Sequence, residues 1–436
     1  MNIDIASFQF RSASPASDEH PLVAVKILPP AVAGLQRHFH LALLLDTSGS
    51  MHGERLISLQ RTLHLLLDAL HDSDILTLIN YNSVATLTAN AVSLTTASRA
   101  QLHITVDSMT AGGGTNLEAA MTLLQSTGLT CVIDSVFILT DGRVNQGITS
   151  AAGLLRIANA MLPNGTPINT LGYGSDHNSS LLRDMAIRSR GTYTFADAAE
   201  LIPAVIGDIV GGLSTEYGRN AILTFPESWN CLELEAAGNS YAIGTLIAEK
   251  EQWVVLEGPT GCSDLPIITL TWNMHAGGEA YCNCIEDAII PRIIVEEQYC
   301  RIRVAHGFAA ATDALTVDAI EDALRILQEL GNQLDASAAC NRPFVIRLRA
   351  QIDDMLATIA IPVSPPHPRA QDRISGGGMP ALRPLLSRMS SDTAALGNQR
   401  GFYNPTLSLL AAESPYSSPT QRAATQTMVY DYGVAP

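Results

Sequence analysis

His40-Leu41-Ala42-Leu43-Leu44-Leu45-Asp46-Thr47-Ser48-Gly49-Ser50 opens on an unbroken apolar run and closes on a carboxylate and two hydroxyls. A run with no polar alternation predicts a strand covered on both faces, as in a parallel sheet flanked by helices. A second such run, Val136-Phe137-Ile138-Leu139, leads into Thr140-Asp141-Gly142. Further strands are expected over Ile75 to Asn82, Ala85 to Leu94, Ile168 to Tyr173 and Thr192 to Ala196. Between them Leu56, Leu59, Leu63, Leu66, Leu67 and Leu70 recur at helical spacing, as do Leu117, Ala120, Met121 and Leu124. A helix from Ala199 to Gly211 closes the region, with Gly211-Gly212 read as its stop. Residues 38–213 therefore read as an α/β domain, a doubly wound and mostly parallel sheet.

In such sheets ligands bind at the carboxyl ends of the strands. Asp46 stands where the first buried strand stops, and Ser48 and Ser50 add hydroxyl oxygens on a turn tightened by Gly49. Gly112-Gly113-Gly114-Thr115-Asn116 delivers Thr115 at a helix start, and Asp141 ends the second central strand. Carboxylates and hydroxyls are hard ligands. Asp46, Ser48, Ser50, Thr115 and Asp141 thus suit magnesium, with manganese or calcium as alternatives. Five oxygens leave a near-octahedral ion with an open position for water or an incoming carboxylate.

The order Asp-x-Ser-x-Ser, then Thr, then Asp resembles the metal-ion-dependent adhesion site of von Willebrand factor A domains, and the resemblance covers about residues 38–213. It implies a Rossmann-like fold, with Ser48, Ser50 and Thr115 as direct ligands and Asp46 and Asp141 acting through water. It also implies a protein partner that offers an Asp or Glu carboxylate to the metal. Met51, His52, Gly113, Asn116, Arg143 and Asn145 are expected to form the partner-binding rim.

Residues 1–37 contain an alternating strand, Leu22 to Ile27, assigned to the β domain that follows. Residues 214–290 read as that small antiparallel β domain, with strands at Ala221 to Phe225, Trp253 to Leu256 and Ile267 to Trp272. Residues 291–361 read as a helical region of two or three helices, Ile293 to Ala310, Val317 to Leu330 and Phe344 to Ile359. Residues 362–436 are rich in Pro, Ser and Gly and read as an irregular tail. This layout resembles that of the inter-alpha-trypsin inhibitor heavy chains and of bacterial relatives.

The 436 residues carry 26 Lys and Arg against 42 Asp and Glu, a formal charge of -16, which argues against nucleic acid or an anionic membrane as partner. No stretch reaches the roughly 18 apolar residues of a membrane span, and no secretory leader is recognised. With seven cysteines, an odd count, the chain is expected to be cytoplasmic and its thiols reduced.

A helix cap accounts for one of Asp46, Ser48 and Ser50 but not for two distant loops. The glycines at 112–114 lack the Gly-Lys-Ser/Thr of a phosphate loop. A magnesium-dependent phosphohydrolase of the haloacid dehalogenase type places a second Asp where this chain has Ser48, so the chain is not read as an enzyme. A regulatory or assembly subunit of an ATPase complex stands as the alternative role. Cys231, Cys262, Cys282, Cys284 and Cys300 lack paired Cys-x-x-Cys spacing and read as core thiols, not a zinc site. His38 and His40 read as packing or edge residues, and His52 as a solvated helix start.

Overall fold

The computed structural model describes residues 4–10, 20–31, 38–127, 133–141, 143–161, 166–174, 177–196, 202–233, 238–260, 266–273, 279–282, 292–317 and 319–360, with positions 385 and 389. Strands β1 (Asp4–Phe10) and β2 (Leu22–Leu28) pair antiparallel ahead of the α/β region. That region runs through β3 (His40–Asp46), a 3-10 turn over Gly49–Met51, α1 (Glu54–Ala69), β4 (Ile75–Tyr81), β5 (Ala85–Ser93), α2 (Thr96–Asp107) and α3 (Leu117–Ser126). It continues with β6 (Ser135–Thr140), α4 (Ala151–Met161), β7 (Ile168–Tyr173), α5 (Ser179–Arg188), β8 (Tyr193–Ala196) and α6 (Ile202–Ser214).

The six strands lie in the order β5-β4-β3-β6-β7-β8. Every neighbouring pair is parallel except the β4–β5 hairpin. All residues of β3 are buried, because alternate side chains enter different cores. Leu41, Leu43 and Leu45 pack with Leu59, Leu63, Leu102 and Ile206 from α1, α2 and α6. Ala42 and Leu44 pack with Leu117, Leu154 and Leu181 from α3, α4 and α5. Each fully buried leucine contributes about 1.5–3 kcal/mol, so this strand anchors both layers.

The chain then forms β9 (Glu216–Thr224), β10 (Asn230–Cys231), β11 (Ser240–Ile247), β12 (Gln252–Glu257), β13 (Thr269–Asn273) and β14 (Glu279–Cys282). Two four-stranded antiparallel sheets result, β1-β2-β12-β10 and β11-β9-β13-β14. Val23, Val25 and Ile27 of β2 face Leu223, Leu246 and Trp272 across a shared core, so the N-terminal strand closes a sandwich begun after residue 214.

Helices α7 (Arg292–Thr316), α8 (Ile320–Ala336) and α9 (Pro343–Ala360) pack around Val304, Phe308, Leu327, Val345 and Ile352. Val295 and Ile302 of α7 cover Ala24, Trp253 and Val255 on the outer face of the sandwich. There the fully buried Arg301 meets Glu233 bidentately, at 2.5 and 3.0 Å, and also donates to Gln298 at 3.0 Å. Among the described residues no helix is long and apolar enough to cross a membrane.

Several helix ends differ from the sequence reading, among them those of α8, which runs over Ile320–Ala336 where Val317 to Leu330 is expected. Helix α6 passes through Gly211-Gly212 to Ser214, because Leu213 is buried in the core and Ser214 and Thr215 hydroxyls cap the Gly211 carbonyl at 2.9 and 2.8 Å. That packing outweighs the roughly 1 kcal/mol helix penalty of each glycine. Helix α7 extends past Ala310 to Thr316 because Ala311 and Leu315 reach the bundle core. Most of the tail expected over 362–436 lies outside the described residues. Leu385 and Met389 are helical and buried against the bundle.

His40 is a core residue, 2% exposed, with Nε2 2.8 Å from Thr77 Oγ1 and with Nδ1 unpartnered among the described residues. Burial pushes its pKa down from 6.5 to about 4. Between those values the unfolded chain binds a proton that the native state refuses, so stability is lost as pH falls from about 6.5 toward about 4. Urea unfolding from pH 7 to pH 4 is expected to show a steeper loss in wild type than in His40→Gln, by on the order of 2 kcal/mol. Parallel acid limbs in the two proteins would remove His40 as the cause.

Candidate metal centre

Asp46 is wholly buried where β3 ends between β4 and β6. Its Oδ1 accepts the Ser48 N–H at 2.8 Å and its Oδ2 accepts the Thr140 hydroxyl at 2.5 Å. The loop beyond is held to β4 by Thr47, whose N–H and hydroxyl both donate to the Tyr81 carbonyl, at 2.8 and 3.1 Å. Ser48 makes no side-chain capping bond on the Gly49–Met51 turn, and α1 begins behind Gly53, also without one. The hydroxyls are thus not used as helix caps, and Ser48 Oγ lies 3.0 Å from Ser50 Oγ.

The second loop is stitched to the first through its backbone. Gly112 N–H donates to the Thr47 carbonyl at 2.8 Å, and Gly49 N–H to the Gly113 carbonyl at 3.0 Å. Gly113 has φ +82°, a left-handed conformation that favours glycine, and a Cβ there would meet Ser83 Oγ at 3.1 Å. Thr115, 1% exposed, is clamped by Asn145: its N–H donates to Asn145 Oδ1 at 3.0 Å and its carbonyl accepts the Asn145 N–H at 3.1 Å. Asn116 caps α3 through Ala119 N–H at 3.0 Å.

Asp141 completes the edge, wholly buried at the end of β6. Its Oδ1 accepts the Arg143 N–H at 3.3 Å, and its Oδ2 accepts from Arg55 Nη1 at 3.0 Å. The same Arg55 nitrogen donates to the Ser50 carbonyl at 3.1 Å. Burial pushes the Asp46 carboxyl up to about 6; the Thr140 and Ser48 hydrogen bonds oppose this, and the Asp141 charge adds to it. A buried carboxylate made this hard to ionise is short of positive charge, and a cation relieves that shortage. The hydroxyl spacing also fits: neighbouring oxygens around an octahedral ion with ligands at 2.0–2.1 Å sit about 2.9 Å apart. The donor set therefore suits a hard divalent ion, held by Ser48, Ser50 and Thr115 with Asp46 and Asp141 behind them.

Of the expected rim, His52, Gly113, Arg143 and Asn145 are exposed and Asn116 is half-buried. Met51 is corrected: it is wholly buried with Leu59 and Leu63, because the 3-10 turn rotates it under the loop into the core. Gly142 lies outside the described residues. Cys231 sits in β10, and Cys300 sits on α7 with its thiol 3.4 Å from Ser337 Oγ. Cys262, Cys284 and the side chain of Cys282 lie outside the described residues. Sequence reasoning missed Thr140, Ser83 and Arg55. Arg55 left a signal, being a basic residue in the first turn of a helix, where the helix dipole favours acidic ones.

Removing Arg55 withdraws a charged donor from the buried Asp141. Arg55→Gln is expected to cost roughly 1–3 kcal/mol in EDTA. Added magnesium is expected to restore more stability to this variant than it adds to wild type, read as the shift in thermal midpoint. Equal shifts in both proteins would show that Arg55 and the cation do not share Asp141.

Residues 40–206 match the family model of the von Willebrand factor type A domain. The uncharacterized protein YfbK of Escherichia coli (strain K12) is 28% identical over 164 residues, 36% of this chain and 28% of that protein. Human inter-alpha-trypsin inhibitor heavy chain H3 is 25% identical over 222 residues, 46% of this chain and 25% of that protein. The chain thus matches only about a quarter of the length of these curated relatives. Among solved structures, the von Willebrand factor type A protein from Catenulispora acidiphila aligns with TM-score 0.58 at 16% identity, covering 82% of this chain and 88% of that one. The ArnB paralog VWA2 from Sulfolobus acidocaldarius aligns with TM-score 0.56 at 14% identity, covering 92% and 99%. At these identities the likeness is one of fold, and it extends beyond the α/β region. Residues 40–206 of this chain are a von Willebrand factor type A domain.

Proposed function

We propose that the domain is a non-catalytic, divalent-cation-dependent protein-binding module whose partner presents an Asp or Glu carboxylate to the metal. The observation that carries this reading is the convergence of Asp46, Ser48, Ser50, Thr115 and Asp141 at one sheet edge, beneath a rim that exposes His52, Arg143 and Asn145. Magnesium is the proposed ion, since every donor is a hard oxygen. When bound, it would supply a Lewis-acidic position for an external oxygen ligand.

Charge counting favours an anionic ligand. Two ionised carboxylates, the Arg55 guanidinium and a divalent ion leave one positive charge at the centre, which a single partner carboxylate neutralises. A phosphohydrolase reading has less support. Ser48 stands where the second aspartate of such an enzyme would act as general acid/base, and its hydroxyl pairs with Ser50.

Affinity capture from native lysate tests the proposal, using wild type and Asp46→Ala, each with magnesium and with EDTA. Partners are expected only for wild type with magnesium. The same proteins retained in all four conditions would falsify the metal bridge.

A further inference from the structure

On the surface where α1 packs against α2, two histidines and two aspartates form a crossed pair of pairs. The rings of His64 and His103 meet edge to edge, their centroids 4.9 Å apart and their planes 13° from parallel. Their Nδ1 atoms are 2.6 Å apart. Nε2 of His64 is 2.9 Å from Asp107 Oδ1, and Nε2 of His103 is 3.2 Å from Asp68 Oδ1. Each helix supplies a histidine and, one turn later, the aspartate that holds the other helix's ring. Gln60 ties the helices together beside them, donating to the Val106 carbonyl at 2.9 Å.

The carboxylates decide the chemistry of the contact. An ionised carboxylate only accepts, so each Nε2 carries the ring hydrogen and each neutral ring is left with a lone pair at Nδ1. Two lone pairs facing each other repel, and so do the two N–H groups of a doubly charged pair. The close contact therefore calls for one cation between the nitrogens, either a proton or a metal ion. Imidazoles whose far nitrogens are held by carboxylates are arranged as in histidine metal sites, where that second contact orients the ring and raises its basicity.

We propose that His64 and His103 bind a nitrogen-preferring divalent transition metal ion of the zinc class through their Nδ1 atoms. The ion replaces the shared proton, so each binding event forms two metal–nitrogen bonds and releases a proton to solvent. Tetrahedral ligands at 2.0–2.1 Å lie about 3.3 Å apart, so the nitrogens need to part by less than about 1 Å and the head-on rings to tilt until their lone pairs converge on the ion. The rings are 31% and 27% exposed and the two aspartates more so, which leaves them free to follow. Among the described residues no three His, Cys, Asp or Glu side chains converge on one ion, so water fills the remaining positions. The site differs in kind from the oxygen-lined centre, and magnesium does not compete for it.

Calorimetric titration of zinc into the full chain, with magnesium held at saturating concentration, tests the assignment. One zinc equivalent is expected in wild type and in Asp46→Ala, accompanied by proton release, and it is lost in His64→Ala and in His103→Ala. Asp107→Asn is expected to weaken it 10–100-fold. Copper(II) in place of zinc should show coupling to two ring nitrogens by electron paramagnetic resonance. Absence of the zinc equivalent in wild type, or its persistence in both histidine variants, would overturn the proposal and leave a shared proton alone between the rings. Unchanged circular dichroism of the histidine variants separates loss of the site from loss of the fold.

Discussion

The Asp46 carboxylate, buried at the end of an entirely apolar strand, is the constraint on which the α/β region depends. Removing a carboxylate from water carries an effective penalty of several kcal/mol, and such a group persists only where donors are built around it. Here one donor is the Ser48 N–H and the other is the Thr140 hydroxyl on the neighbouring strand. The first dictates the path of the loop after β3. The second requires β6 to end level with β3, as the pairing of Leu45 with Leu139 ensures. On the other side Asp46 stands opposite Tyr81, whose carbonyl takes both Thr47 donors. Loop, register and charge are therefore satisfied together or not at all.

From that edge the structure spreads through direct connections. Helix α6 shares a core with α1 and the odd-numbered leucines of β3, and only Thr215 separates it from β9 of the sandwich. The sandwich meets the helical bundle through the Arg301–Glu233 pair. With both groups at most 1% exposed, losing one partner would strand a buried charge. Displacement of α6 would thus act on the sandwich without an intervening linker to absorb it.

What could be read from the sequence followed the reach of each signal. Continuous apolar runs exposed β3 and β6, because burial on both faces removes the polar alternation of an ordinary strand. The sheet class followed from helices interleaved between strands. Met51 misled because adjacency to Ser50 suggests a shared surface, whereas a 3-10 turn sends neighbouring side chains to opposite sides of the loop. The Gly211-Gly212 stop failed because tertiary packing overrode local propensity. Asn145 was read as rim, but its clamp on Thr115 joins residues 30 apart, and no local pattern records such a bond. The crossed His64–Asp107 and His103–Asp68 pairs were equally hidden. Each helix shows only a histidine and an aspartate at helical spacing, which alone reads as a solvated face.

Electrostatics narrows where the proposed recognition takes place. A chain of formal charge -16 repels an acidic partner at a distance, yet at physiological ionic strength that field decays over about 8 Å. Attraction must therefore come from groups at contact range. Arg143 is exposed beside Asp141, and Arg55 donates to the same carboxylate, so the two arginines offset the two buried carboxylates and a bound divalent ion would leave this edge net positive. Beneath the rim, Met51 packs the loop onto α1, and the glycine loop is pinned by backbone bonds to Thr47 and Gly49. The pinned part of the rim, Gly113 and the loop after β3, would have little conformational entropy left to lose on binding, so contacts made there would not be offset by the cost of ordering loops.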